Sequence, residues 1–210
     1  VRMVDINEGR PHKSRRLLKN HEFHYSLEGA DDGSNLGCAR GPSEDVVLTR
    51  AKWLFGTWVG NGKGISTCPA AEQYEFSEET SFVPIHGRPA MMYTQRVWRT
   101  DCHEMAHCET GILRFGELAG GPGNVQLTVS QLNGIACISE GRLESDFALE
   151  LRSSQICALP KTDAPTPSLI ERRYFLRADG ALGYTVDVVV GTEAGRRVRA
   201  LEATLLPAEP

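Results

Sequence analysis

The sequence predicts an all-β protein: an antiparallel sandwich or up-and-down β-barrel, the barrel preferred, with a short helix before the first strand. Three observations lead there. Apolar and polar residues alternate with period two in short runs, as in Val125-Gln-Leu-Thr-Val129 and Phe147-Ala-Leu-Glu-Leu151. Turn signals separate the runs: Asn133-Gly134 precedes Ile135-Ala-Cys-Ile138, and Asp179-Gly180 lies between Tyr174-Phe-Leu176 and Leu182 to Val190. No long helical pattern intervenes, which argues against βαβ units. Closure removes exposed sheet edges, and a barrel of about eight to ten strands leaves space for one ligand.

Residues 1–47 read as a flexible or loosely packed extension, and 48–210 as the barrel domain. The extension carries a basic cluster (Arg10, His12, Lys13, Arg15, Arg16, Lys19) and the turn-rich stretch Gly29-Ala-Asp-Asp-Gly-Ser-Asn35, with little periodicity. Its cluster reads as solvated charge rather than a nucleic-acid arm. Thr49 can cap a short helix through Leu54, with Leu48, Trp53, Leu54 and Phe55 on one buried side. After Gly56 the period changes to two. Ala90 to Trp98 is rich in strand formers with Arg96 facing out, and Val198 to Leu206 alternates and closes the chain. Trp53, Trp58 and Trp98 are expected in the core.

Composition excludes several classes. A net charge of −4 and a pI near 5.9 give no general attraction to nucleic acid or anionic lipid. No apolar run approaches the roughly 18 residues of a membrane span. Val1 to Glu22 lacks an apolar core, so no secretory signal is expected there. Six irregularly spaced cysteines suit free thiols in a reducing compartment, and the expected location is cytoplasmic. Cys102-His103-Glu-Met-Ala-His107-Cys108 holds good zinc ligands but lacks paired Cys-x-x-Cys spacing, so no metal site is assigned. There is no Gly-x-Ser-x-Gly elbow, and Glu78 and Glu79 are strand neighbours on opposite faces, so no catalytic residue is assigned. Glu109 and Arg114 are expected to pair across the barrel.

Gly56-Thr-Trp58-Val-Gly60-Asn-Gly62-Lys-Gly64 is glycine-rich, but β-forming residues follow it where a phosphate loop needs a helix. It reads as a first strand bending at the barrel mouth. After it come Tyr74-Glu-Phe-Ser-Glu-Glu79, His86-Gly-Arg-Pro89, Tyr93-Thr-Gln95, His107-Cys-Glu-Thr-Gly111-Ile-Leu-Arg114, Leu182-Gly-Tyr184 and Leu201-Glu-Ala-Thr-Leu205. In this order the series resembles the nitrobindin family, haem-binding barrels that look like fatty-acid-binding proteins, over about three quarters of the chain.

The resemblance implies an antiparallel up-and-down β-barrel of about ten strands with one haem b at its open end, ferric iron held by a histidine of the last strand, nitric oxide binding and peroxynitrite isomerisation. It makes Gly56, Trp58, Gly60 and Gly62 the motif residues, and Ala70, His107, Thr110 and Ala200 the pocket candidates. The axial position falls on Ala200, Ala70 stands where the family has a threonine near haem, and no histidine follows His107. An alanine methyl has no lone pair for iron. The expectation is therefore a barrel that binds a small apolar molecule in an internal pocket without competent haem-iron ligation. The alternative is a ferric haem b protein with an unorthodox ligand, for which His107 is the candidate.

Overall fold

The computed structural model describes residues 48–66, 72–121, 123–160, 166–190 and 196–209. The expected extension, and Ala70 with it, lies outside the described residues. Residues 48–50 are helical and Lys52–Leu54 forms a 3₁₀ turn. Ten strands follow: β1 (Gly56–Ser66), β2 (Glu72–Pro84), β3 (Ala90–Arg99), β4 (Met105–Phe115), β5 (Asn124–Gln131), β6 (Ile135–Ser145), β7 (Ala148–Ala158), β8 (Pro167–Leu176), β9 (Leu182–Val190) and β10 (Arg196–Pro207). Each pairs antiparallel with its neighbour in sequence. β10 returns to β1, Trp58 opposite Pro207 and Gly64 opposite Leu201, and closes the barrel.

The turns obey the local chemistry read from the sequence. Gly134 and Gly180 sit at φ 83° and 82°, where a Cβ would be strained. Asn133 Oδ1 and Asp179 Oδ1 accept from the amides two residues on, at 3.1 and 3.2 Å. The glycines of β1 have a different cause. Trp58, Gly60, Gly62 and Gly64 share the inner face of the strand. A Cβ on Gly62 would lie 2.4 Å from the Phe76 ring, and one on Gly64 2.4 Å from the Tyr74 ring. The stripe is bare so that aromatic rings of β2 can cross the lumen.

One end of the barrel is filled. Ala51 and Leu54 are fully buried in one cluster with Trp58, Phe82, Met91, Leu113, Phe115, Leu182 and Leu205. Leu48, Trp53 and Phe55 pack at its edge. Trp58 Nε1 donates to the Leu54 carbonyl at 2.9 Å, fastening the helical segment over this end. Trp98 departs from expectation. It is only half-buried, because Tyr93, Gln95 and Val97 take the inner face and the next residue turns outward. At the opposite end the wall loosens: β7 pairs β8 only from Ala148 to Arg152, after which the Ile170 amide donates to Ser153 Oγ at 2.9 Å.

Candidate functional site

A layer of buried polar side chains crosses the lumen above the filled end. Glu109 from β4 and Arg172 from β8, with side chains 0% and 2% exposed, pair at 2.7 Å through Nη2 and Oε2. Tyr93 donates to Glu109 Oε1 at 2.8 Å and Gln131 Nε2 to Oε2 at 3.1 Å. His107 Nε2 lies 3.4 Å from the same oxygen. Beside this group, Glu78 accepts from Thr80 at 2.5 Å, Gln95 Nε2 at 2.9 Å and the Tyr184 hydroxyl. The Tyr93 hydroxyl also lies 3.1 Å from Gln95 Oε1 and so joins the two halves, and Tyr174 donates to Tyr93 at 3.2 Å.

Environment sets the protonation of this layer. Burial alone would raise the Glu109 carboxyl, but the Arg172 guanidinium and the hydrogen bonds from His107 and Tyr93 outweigh it and hold the group well below the carboxylate range. Glu78 has no guanidinium against it among the described residues, only the weaker pull of His107. Burial raises its carboxyl above the usual value, and the hydrogen bonds from Thr80, Tyr184 and Gln95 only partly offset this. Burial likewise pushes up the phenols of Tyr93, Tyr174 and Tyr184, which remain hydrogen-bond donors.

The raised Glu78 carries a pH signature. The folded state holds the Glu78 proton more tightly than the unfolded chain does. Its contribution is complete below the ordinary value of 4.5 and fades as pH rises through the higher folded value. Glu78→Gln, which is uncharged and nearly isosteric, is expected to lose that downward slope. Urea midpoints of wild type and variant across a pH series above 4.5 test this; parallel curves would assign the slope elsewhere.

Above the polar layer, at the loose end, lies a cavity of about 390 Å³. Its walls are largely apolar, with Ile65, Ile170, Val186, Val188, Ala200 and Leu201, while Gln95, His107, Gln131 and Arg172 mark its polar side. Tyr74 and Arg99 also line it, the guanidinium 5.1 Å from the ring centre.

His107 and Ala200 thus face one cavity, from β4 and β10. Ala200 is the extra residue where the β9–β10 register shifts between Arg199 and Leu201, a bulge. Thr110 corrects the expectation. It is exposed, and its hydroxyl donates to the Tyr93 carbonyl at 3.3 Å, because His107 and Glu109 take the inner positions and 110 has the opposite parity. Parity also separates Glu109 from Arg114, five residues on. Arg114 donates to Thr128 Oγ1 at 2.8 Å, and the partner of Glu109 is Arg172. The motif glycines Gly60 and Gly62 serve packing. Cys102 and His103 are exposed, and among the described residues no three His, Cys, Asp or Glu side chains converge on a metal position. The four described cysteines carry free thiols.

A closed ten-stranded sheet, sealed at one end and hollow at the other over a buried polar layer, defines a small cavity-bearing β-barrel. The chain belongs to the THAP4-like, heme-binding beta-barrel domain family, whose model matches residues 47–205. It is a nitrobindin-type barrel. Bovine THAP4, named a peroxynitrite isomerase, is 25% identical over 152 residues, 72% of this chain. The match spans only a quarter of the THAP4 length. An Arabidopsis thaliana protein named peroxynitrite isomerase Rv2717c is 27% identical over 146 residues, 69% of this chain and 80% of the relative. The crystal structure of Rv2717c from M. tuberculosis superposes with a TM-score of 0.64 at 28% identity, covering 78% of this chain and 98% of that one.

Whether this chain's residues fit haem turns on its donors. Haem iron is held by His, Cys, Met or Tyr. Of the described residues lining the cavity, only His107 and Tyr74 are of these types. Burial raises the Tyr74 phenol, with Arg99 acting against it, and His107 Nε2 is turned to Glu109. β10 supplies Ala200 and Leu201 to the cavity and contains no histidine. The residues present do not fit a haem ligated by histidine from the last strand.

Proposed function

We propose that this barrel holds a small apolar molecule in its open-end cavity and does not ligate haem iron from β10. The cavity carries the proposal: its volume of about 390 Å³ lies within the range of small-molecule sites, its walls offer branched aliphatic side chains, and Ala200 stands where the resemblance puts an imidazole. Burial against such walls contributes roughly 25 cal/mol per Å² of apolar surface. The family description and the names of the relatives favour a second reading, a haem protein that isomerises peroxynitrite, to which the resemblance adds ferric haem b and nitric oxide binding. His107, the one imidazole among the described lining residues, is the candidate ligand for that reading. The free thiols suit a reducing compartment such as the cytoplasm.

Two titrations separate the readings. n-Decanol is expected to bind one to one by calorimetry, and hemin to give no strong, saturable five-coordinate Soret band. Ala200→His is expected to tighten hemin binding by about tenfold or more, the equivalent of about 1.4 kcal/mol from the new coordinate bond. A wild-type five-coordinate spectrum that disappears in His107→Ala would establish the haem reading instead.

A further inference from the structure

We infer that the ligand is an aliphatic monocarboxylate whose carboxylate is held by Arg172; the inference rests on the cavity-binding reading above. Two observations carry it. Arg172 is buried, 3% exposed, and reaches inward from β8 with Ile170 and Tyr174. Glu109 takes a hydrogen bond from its Nη2, while Nε and Nη1 are buried with no partner among the described residues. Arg172 lines the cavity whose upper wall is Ile65, Val186, Val188 and Leu201.

Buried donors without acceptors are costly, and those of a charged group most of all. A guanidinium presents its five N–H groups as a planar fork that matches a carboxylate, and Glu109 fills only part of it. An acceptor delivered through the cavity would complete the fork, and the molecule carrying it must be apolar beyond its head to match the walls. Glu109 and Arg172 offset one another, so the ligand carboxylate is the added charge. Gln131, lining the same cavity, gives one amide N–H to Glu109 and keeps a second for that head. The volume admits about a dozen non-hydrogen atoms at roughly 30 Å³ each, the share of a water in the liquid, which suits a medium-chain acid.

The test compares decanoate with n-decanol on the wild-type protein at neutral pH by calorimetry. Decanoate is expected to bind about tenfold tighter or more, since charge-assisted hydrogen bonds exceed neutral ones. The preference should vanish in Arg172→Met/Glu109→Gln, a pair that leaves neither charge stranded. Equal affinities of the two ligands for wild type would overturn the inference while leaving the cavity-binding reading standing. Binding of neither would overturn both. The wild-type comparison decides even if the double variant fails to fold.

Discussion

Arg172→Met is expected to destabilise the barrel by about 3–5 kcal/mol, the usual cost of removing one partner from a buried ion pair. Most of that cost comes from Glu109. Its side chain is wholly buried and would keep its contacts with Tyr93, Gln131 and His107 but lose the guanidinium. The double variant Arg172→Met/Glu109→Gln is expected to recover much of the loss, because no uncompensated charge remains. pH gives a second readout. In wild type the Glu109 carboxyl is held low, so its contribution is present above the unfolded value of 4.5 and is lost as pH falls through the lower folded value. In Arg172→Met burial is opposed only by the hydrogen bonds of His107 and Tyr93, the carboxyl moves up, and acidification should cost the variant less than it costs wild type. Urea unfolding of the three proteins across pH tests both points. A double variant no more stable than the single one would show that the cost lies in lost packing, not in the stranded carboxylate.

Trp58→Ala is expected to cost about 3–5 kcal/mol, in the range of aromatic-to-alanine changes in a core. Trp58 is 5% exposed and stands on the inner face of β1, packed with Leu54, Phe82 and Leu205. Its indole also satisfies the Leu54 carbonyl. Removing it opens a void at the sealed end and frees the helical segment, so proteolytic cleavage within 48–55 should accelerate along with the loss in unfolding free energy. Trp58→Phe keeps most of the volume and drops the indole N–H; it should cost nearer 1 kcal/mol, the net worth of one hydrogen bond. If Trp58→Ala cost no more than Trp58→Phe, the ring would not be the fastening.

The two prominent sequence motifs proved to serve different ends. The glycine series marks room for the Phe76 and Tyr74 rings, while His107 and Glu109 of the second motif face the lumen. Alternation alone could have sorted several residues. In β8, Ile170, Arg172 and Tyr174 share a parity that Arg173 does not, so the inward arginine was readable once either apolar neighbour was taken as core. The same count excludes Thr110 from the lumen, separates Glu109 from Arg114, and turns Trp98 out beside Val97.

The sequence by itself determined the element types, the helical segment before β1, the turns at Asn133-Gly134 and Asp179-Gly180, and the closing strand through Leu206. All of these rest on interactions within a few residues, where φ preferences and period-two burial act directly. Only the tertiary structure decided the site. Glu109 meets Arg172 across 63 positions and Glu78 meets Tyr184 across 106, and no local preference encodes either meeting. They depend on the registers of the ten strands and on closure between β1 and β10, which aim side chains from distant strands into one lumen. That Arg172 Nε and Nη1 have no partner among the described residues emerges only once the neighbours around that lumen are in place.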